Sequence, residues 1–242
     1  MNRFLSVLKN DFLLQVRNNL YTIGISVAAI LAIGISQLAN PVHMFLIVPT
    51  LILMIIGGST FFYIAGLILF EKDENTLNAI ITSPLKISEY LWSKVLTLSM
   101  LATLEGSIVI GGTMGVMMFS EAHVPIPNFF ALLLGIISIG IIYSLIGVIL
   151  VVRYDKITDC ILPMTAGIVL LQLPLIYFSG LVQHYLFLII PTSAPIMIVR
   201  GAYVRLPILL WIYAITYTIG SIVVFSLWAK QAFAKHIRMK VG

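Results

Sequence analysis

Residues that could bind a metal ion or perform redox chemistry are few in this chain and far apart. Its single cysteine, Cys160, excludes an internal disulfide and a metal cage built from cysteines. The four histidines fall in separate loops or tails, so the sequence shows no metal cluster. They are His43, His123, His184 and His236. We therefore predict no metal site.

Enzymatic motifs are also missing from the sequence. A rhomboid-type serine protease needs Gly-x-Ser-Gly and a histidine in another span, but Ser179-Gly180 follows Tyr177-Phe178, and no apolar run holds a histidine at membrane depth. Metal-dependent lipid enzymes need clustered carboxylates, and Asp155 and Asp159 are too sparse. The motif Gly-x-x-x-x-Gly-Lys-(Ser/Thr) does not occur, so this chain cannot hold ATP phosphates in a P-loop. We expect no enzymatic activity and no cofactor bound by this chain.

One acidic residue, Glu105, lies deep inside a long apolar run. Along a helix it is about 17 Å beyond Lys94, at about 1.5 Å per residue. A charge at that depth is costly, and such residues usually face a cavity or a partner. The hydroxyls of Ser99, Thr103 and Ser107 could hydrate it or bond to it. We predict that Glu105 contributes to a cation-accepting or proton-linked site in a translocation path. The alternatives are a protonated acid bonded to another helix and a structural link between helices.

Three other polar residues lie within apolar runs and are weaker candidates for the same path. They are Tyr63, Tyr143 and Gln172. A single aromatic or amide side chain in a span more often packs against a neighbour or anchors an interface.

The composition requires a lipid environment around these residues. Hydrophobic residues make up 60% of the 242 positions and charged residues only 10%, with a mean hydropathy of +1.10. A soluble domain carries about 25% charged residues, so this chain has too few to cover a core with polar surface. We predict a single all-α membrane domain, 1–242. About 20 apolar residues cross a bilayer, and six runs qualify: Leu20–Ala39, Val42–Phe70, Val95–Phe119, Phe129–Val152, Ile161–Leu181 and Leu206–Ala229.

Two further segments have apolar patterns that are too short or too one-sided to span. Residues 2–18 place Phe4, Leu8 and Phe12 on one helical face, which predicts an amphipathic helix in the membrane interface within 1–19. In the region 182–205, the apolar pieces Tyr185–Ile190 and Ala194–Val199 are separated by prolines. We predict that they form a re-entrant hairpin between spans five and six, shielded from lipid by protein.

The distribution of basic residues predicts the orientation. With the N-terminus inside, twelve of the 14 lysines and arginines lie on the cytoplasmic side, and only Arg200 and Arg205 lie outside. This is the positive-inside pattern. It places both termini in the cytoplasm, and it explains the net charge of +5 without a nucleic-acid partner.

The first span carries small residues four positions apart: Gly24, Ala28, Ala32 and Ser36. This spacing lets another helix approach closely. The stripe predicts either a dimer seam or packing within the subunit, and the pattern alone does not choose between them.

The segment 71–94, EKDENTLNAIITSPLKISEYLWSK, is long and charged. Leu77, Ile80 and Ile81 recur at helical spacing, so a short helix from about Asn75 to Thr82 would have one apolar face. Ser88 and Glu89 could cap the third span. The short helix either lies against lipid or its own bundle, or inserts into a soluble partner.

This segment resembles the ABC-2 type transporter permeases. Their pattern is Glu-x-Glu-x-Gly-Thr-Leu followed by (Thr/Ser)-Pro-Leu. Here the residues are Glu71, Asp73, Glu74, Asn75, Thr76 and Leu77, then Ser83, Pro84 and Leu85. Asn75 replaces the usual glycine, and asparagine also tolerates positive φ. The six spans, the interfacial helix and Pro-x-x-x-Pro at 191–195 extend the resemblance to the whole chain, most closely to the small drug-exporter permeases of the fluoroquinolone type.

The resemblance implies a function. In that family the loop after the second span is the coupling helix, which sits in a groove of a separate ATPase subunit. This role falls on Glu74, Thr76, Leu77, Ile80, Ile81, Pro84 and Leu85. ATP and Mg²⁺ would bind the partner ATPase, and a second permease copy would complete a homodimer or heterodimer in a prokaryotic cytoplasmic membrane. The alternative is a proton-coupled secondary transporter without an ATPase, for which Glu105 would be the proton site.

Overall fold

The computed structural model describes residues 3–38, 43–74, 85–119 and 124–238. Within these ranges the chain forms nine α-helices, a 3₁₀ turn at Tyr185–Ile189 and a π turn at Ala234–Arg238. In chain order the helices are α1 Arg3–Arg17, α2 Leu20–Leu38, α3 Met44–Asp73, α4 Ile87–Phe119, α5 Phe129–Val151, α6 Ile157–Gln172, α7 Pro174–Phe178, α8 Ser193–Gly201 and α9 Ile208–Phe233.

Six candidate membrane spans are present in the described residues, which confirms the predicted all-α membrane fold. They are Leu20–Leu38, Met44–Asp73, Ile87–Phe119, Phe129–Val151, Ile157–Phe178 and Ile208–His236. Each overlaps one predicted span. The fifth is divided between α6 and α7 at Pro174, because proline has no backbone N–H to continue the helical hydrogen bonds.

The third span begins earlier than its apolar run. Helix α4 starts at Ile87, so Lys94, which we predicted in a loop, lies inside the helix. The Glu89 carboxylate accepts the backbone N–H of Lys86 at 3.0 Å, which is one half of a capping box. Glu89 rather than Ser88 therefore caps this helix through its side chain. Helix α3 ends at Asp73, so the connection between the two helices is shorter than 71–94.

The N-terminal amphipathic helix is present as α1, and it turns sharply into the first span. Asn19 adopts φ 57, a left-handed conformation that asparagine tolerates better than most residues. The polar residues Asp11 and Gln15 are buried against α4, whereas the apolar Phe12 and Val16 are exposed. This arrangement suits a helix whose apolar side faces lipid.

Helix α5 forms the centre of the bundle and packs against α3, α4, α8 and α9. Helix α8 is buried from Ser193 to Val199. The 3₁₀ turn before it is held by Tyr213 on α9, whose hydroxyl donates to the carbonyl of Leu188 at 2.5 Å. The region 182–205 thus contains two short elements at the predicted positions. Its entry into the membrane as a re-entrant hairpin stays a prediction.

Several helix termini meet at one end of the bundle, which we call the α1 end. Glu71 of α3 and Lys94 of α4 contact there, and Lys94 also contacts Asp11 of α1. The rings of Tyr90 on α4 and Phe233 on α9 lie 5.1 Å apart. The interhelical contacts that depend on charged side chains are concentrated at this end.

Candidate functional site

The carboxyl group of Glu105 lies between three spans and is almost fully buried, with 2% of the residue exposed. Ser59 on α3 donates its hydroxyl to Oε2 at 2.8 Å, and Tyr63, one helical turn further on, donates to Oε1 at 3.2 Å. Helix α2 covers the carboxyl from the other side at Gly24. The site therefore joins the first, second and third spans.

The close approach of α2 depends on the absence of a side chain at Gly24. A Cβ built at this position would lie 2.2 Å from Oε1 of Glu105. No carbon atom can occupy that position unless the carboxyl moves. Gly24 thus belongs to the Glu105 site as well as to the small-residue stripe.

No lysine, arginine or histidine among the described residues forms an ion pair with Glu105. Its two partners are neutral hydroxyls, which can donate to a carboxylate or accept a hydrogen bond from a carboxylic acid. A carboxyl in such surroundings can exchange a proton or accept a cationic group, since no neighbouring charge already balances it. This is the chemistry expected of a cation-accepting or proton-linked site.

Of the four substrate-path candidates, only Tyr63 and Glu105 contact each other through a hydrogen bond among the described residues. Tyr63 bonds directly to Glu105. Tyr143 on α5 is fully buried, and its ring lies against Gly57 of α3, where a Cβ would be 2.4 Å from the ring. Its hydroxyl has no hydrogen-bond partner in the described part of the chain. Gln172 on α6 donates to the carbonyl of Met54 on α3 at 3.4 Å. All these contacts involve residues of the second span.

The hydroxyl groups that bond to Glu105 are not the ones that we predicted from the sequence. Thr103 and Ser99 donate to backbone carbonyls one turn earlier in their own helix, at 2.6 Å in each case. Ser59 was missed because its sequence position gives no sign that it faces Glu105. The spacing of Ser59 and Tyr63, four residues apart, indicated only that they share one face of the second span.

A second group of buried charged residues lies at the α1 end; we call it the Lys94 cluster, formed by Asp11, Glu71, Tyr90, Ser93 and Lys94. The Lys94 ammonium lies 3.1 Å from Oδ1 of Asp11 and 2.6 Å from Oε1 of Glu71. Ser93 donates to the remaining oxygen of Asp11, and Tyr90 to that of Glu71, both at 2.5 Å. Buried charges are tolerated when they are paired and hydrogen-bonded in this way.

The Lys94 cluster connects three helices that are distant in sequence. Asp11 is on α1, Glu71 is in the last turn of α3, and Lys94 is in the first third of α4. A further bond from Gln15 to Thr97, at 2.7 Å, extends the α1–α4 contact. One usable signal for this contact was that Asp11 and Gln15 are four residues apart on the polar face of α1.

Lys72 makes another connection from the end of α3. Its ammonium donates to the backbone carbonyls of Val152 and Tyr154, at 3.1 and 2.5 Å, and lies 3.6 Å from the Asp155 carboxylate. These carbonyls follow the C-terminal end of α5, where a cation is favoured. The end of the second span is thus held to the end of the fourth span as well as to Lys94 of α4.

Most residues assigned to ATPase coupling lie outside the described residues. These are Thr76, Leu77, Ile80, Ile81 and Pro84. Glu74 follows α3 directly and donates its backbone N–H to the carbonyl of Phe70 at 3.0 Å. Leu85 is half-buried against the core just before α4. The coupling role of all seven stays a prediction.

Three members of the small-residue stripe pack within the subunit. Gly24, Ala28 and Ala32 are buried against the third span, and Thr113 of α4 donates to the carbonyl of Ala32 at 3.3 Å. Ser36 is half-buried and bonds to the carbonyl of Ile33 in its own helix. These contacts are those of packing within one subunit, and a dimer seam on this helix stays untested.

Comparison with known proteins agrees with this architecture. The model of the fluoroquinolones export permease protein family matches residues 2–241. Two relatives are the fluoroquinolones export permease proteins of Mycobacterium tuberculosis strains CDC 1551 and H37Rv. Each is 25% identical to this chain over 185 residues, which are 75% of this chain and 74% of the relative.

Proposed function

The chain belongs to the fluoroquinolones export permease protein family, and from this premise we propose that it is the transmembrane subunit of an ATP-driven drug exporter. It is a multi-pass membrane protein with six candidate spans. The proposed cargo is a small amphipathic drug such as a fluoroquinolone, carried out of the cytoplasm. The transporter lies in the cytoplasmic membrane of a prokaryote with both termini inside. It contains a second permease copy, identical or different, and separate ATPase subunits that bind ATP and Mg²⁺.

The observation that carries the proposal beyond the family assignment is the surroundings of Glu105. Its carboxyl is buried within the spans and has two neutral hydroxyl partners, Ser59 and Tyr63. An amphipathic drug with a protonated amine would supply the missing positive charge during passage. Burying an acidic side chain at this depth without a cation costs free energy. A cationic cargo that pairs with Glu105 during passage would offset this cost.

Coupling to the ATPase is proposed to occur through the connection after the second span. Leu77, Ile80 and Ile81 form the apolar face of the predicted coupling helix, which Glu74, Thr76, Pro84 and Leu85 flank. An apolar face of this kind can insert into a groove of a soluble partner. Closure of the two ATPases would then displace the ends of α3 and α4, between which the connection lies.

The Lys94 cluster gives a physical route for that displacement. Its buried ion pairs join α1, the end of α3 and the start of α4. A force on the coupling helix would therefore move these helices together rather than bend one of them. Glu105 lies on α4 about 17 Å beyond Lys94, and its partners Ser59 and Tyr63 lie on α3. A displacement transmitted along α3 and α4 would therefore reach the Glu105 site.

Co-purification tests the central part of this proposal. The tagged permease would be co-expressed with its candidate ATPase, and ATPase protein and activity would be measured in the eluate. The substitution pair Leu77→Asp/Ile81→Asp places charge on the apolar face of the predicted helix and should release the ATPase. The matched control, Asn78→Asp/Ala79→Asp, places the same charge on the other side of that helix and should retain it.

Two outcomes would contradict ATPase coupling through this helix. One is an ATPase that never co-purifies with a stable permease. The other is loss of the ATPase from both substitution pairs alike. Drug transport that follows an imposed proton gradient without any ATPase would favour the proton-coupled secondary transporter, for which Glu105 is the candidate proton site.

A further inference from the structure

A cavity of about 200 Å³ lies at the α1 end. Ser88, Leu91 and Trp92 from the first turns of α4 form one wall, and Ser226, Leu227 and Lys230 near the end of α9 form the opposite wall. Leu145 of α5 completes the lining. The cavity is therefore built by the third, fourth and sixth spans.

The polarity of this cavity changes with depth. Ser88 lies in the first turn of α4 and Lys230 close to the end of α9, where we expect the spans to reach the membrane surface. Leu91 and Leu145 are buried, and Leu145 precedes the end of α5 by about 9 Å at about 1.5 Å per residue. Leu227 on the outer wall is exposed to the surroundings of the bundle. The cavity thus has a polar, basic mouth and an apolar interior that opens towards lipid.

Lys230 is an exposed lysine at the mouth of the cavity. Among the described residues its ammonium forms no ion pair and no hydrogen bond. The nearest acidic residue along α4 is Glu89, whose carboxylate accepts the backbone N–H of Lys86 instead. Glu89 already caps the N-terminal end of α4, next to Ser88. An anion at the mouth would therefore meet the Lys230 ammonium and the Ser88 hydroxyl.

We propose that this cavity binds one anionic phospholipid, with the headgroup phosphate at Lys230 and Ser88 and an acyl chain against Leu91, Leu145 and Leu227. Basic pockets between transmembrane helices at the membrane surface suit such headgroups. Half-buried Trp92 is the type of residue that occupies the headgroup level. The site does not depend on ATPase coupling, since it needs only the membrane location.

A bound lipid would affect the helices that carry the Lys94 cluster. Trp92 lies in the same part of α4 as Tyr90 and Lys94, and Tyr90 also contacts Phe233 at the end of α9. A lipid held between α4 and α9 would strengthen this contact. The anionic lipid content of the membrane would then influence how firmly α9 is held against the helices beside the coupling connection.

Native mass spectrometry of the full-length permease in detergent tests the assignment. The protein would be mixed with phosphatidylglycerol or with phosphatidylcholine of the same acyl chains, and retained lipid would be counted. We expect one tightly retained phosphatidylglycerol and little phosphatidylcholine. Lys230→Gln should weaken retention about fivefold, which is equivalent to about 1 kcal/mol, the contribution of one lysine near an anionic lipid surface.

Two further variants separate the cavity from general surface charge. Lys235→Gln removes the same charge from an exposed lysine that does not line the cavity, and it should leave retention unchanged. Ser226→Trp fills the cavity without changing charge and should abolish retention. Equal losses in Lys230→Gln and Lys235→Gln, or full retention in Ser226→Trp, would overturn the proposal.

Competition distinguishes the possible sources of the anion. Inorganic phosphate at the lipid concentration should not displace phosphatidylglycerol, because it cannot use the apolar interior. Displacement by phosphate would show a simple anion site and contradict the lipid assignment. Displacement by a fluoroquinolone would identify the cavity as a drug site instead and would equally overturn the proposal.

Discussion

Two buried acidic sites in this protein have similar partners but differ in charge balance. In the Lys94 cluster, a tyrosine and a serine donate to the carboxylates of Glu71 and Asp11, and the Lys94 ammonium lies between them. At Glu105, a tyrosine and a serine also donate to the carboxyl, but no cation among the described residues joins them. The lysine is the main chemical difference.

That difference indicates what each site does. A carboxylate paired with a buried lysine keeps a fixed charge and holds helices together, because separating the pair leaves an uncompensated ion. A carboxyl with only hydroxyl partners can gain or lose a proton or accept a passing cation. We therefore interpret the Lys94 cluster as part of the frame and Glu105 as part of the transport path. The substitutions below test this division.

Removal of the lysine should have the largest effect on stability. Lys94→Met would remove the ammonium that contacts both Asp11 and Glu71, and we expect a loss of about 3–5 kcal/mol. The measurement is the thermal unfolding midpoint in detergent, together with the yield of monodisperse protein. Lys86→Met is the control, since Lys86 is exposed.

A compensated variant separates charge imbalance from lost packing. Asp11→Asn/Glu71→Gln/Lys94→Met removes the charges on both sides and should recover much of the lost stability. The frame interpretation would be wrong if Lys94→Met unfolded at the wild-type temperature. An unfolding temperature of the triple variant no higher than that of Lys94→Met would also contradict the frame interpretation.

A methyl group at the Glu105 site should have an intermediate effect. Gly24→Ala would place its Cβ against Oε1 of Glu105, so the carboxyl must move, with an expected loss of about 1–3 kcal/mol and reduced transport. Gly34→Ala on the same helix is the matched control, because a Cβ there meets nothing within 4 Å. Gly24→Ala/Glu105→Ala should recover stability but not transport. Equal unfolding temperatures for Gly24→Ala and Gly34→Ala would show that the close contact is unimportant.

Removal of one hydroxyl from each site should have the smallest effect on stability. The two variants should nevertheless differ clearly in drug transport. Tyr90→Phe and Tyr63→Phe each delete one donor to a carboxyl, and each should lower stability by about 1 kcal/mol. Only Tyr63→Phe should slow drug transport, because only Glu105 lies in the proposed path. Equal transport defects in the two variants, measured with equal amounts of protein in the membrane, would remove the functional distinction.

The fold was largely predictable because it follows from local composition. Long apolar runs identify the six spans, and helical spacing identifies α1, without knowledge of how these elements pack. The boundaries were less predictable where charged residues extend a helix. Lys94 was predicted in a loop because burial of a lysine depends on Asp11, 83 positions away in the sequence.

The Glu105 site was predictable only in part for the same reason. An acidic residue in an apolar run is conspicuous, and Glu105 was identified from that alone. Its partners were sought on its own helix, but Ser99 and Thr103 bond to their own backbone. Ser59 and Gly24 belong to the site through packing between helices, which a single sequence does not reveal. The coupling residues from Thr76 to Pro84 rest on the family resemblance.

The most direct test of the central claim is ATP-dependent drug uptake into inverted membrane vesicles that contain the permease and its ATPase, compared between wild type and Glu105→Gln. Glutamine keeps the size of the side chain and one acceptor oxygen, and its NH2 can donate to the second hydroxyl, but it cannot carry a negative charge. We predict that Glu105→Gln retains the ATPase and a normal unfolding temperature, while fluoroquinolone uptake falls at least about tenfold, equivalent to about 1.4 kcal/mol. Uptake at the wild-type rate by Glu105→Gln would contradict the claim that this carboxyl belongs to the transport path.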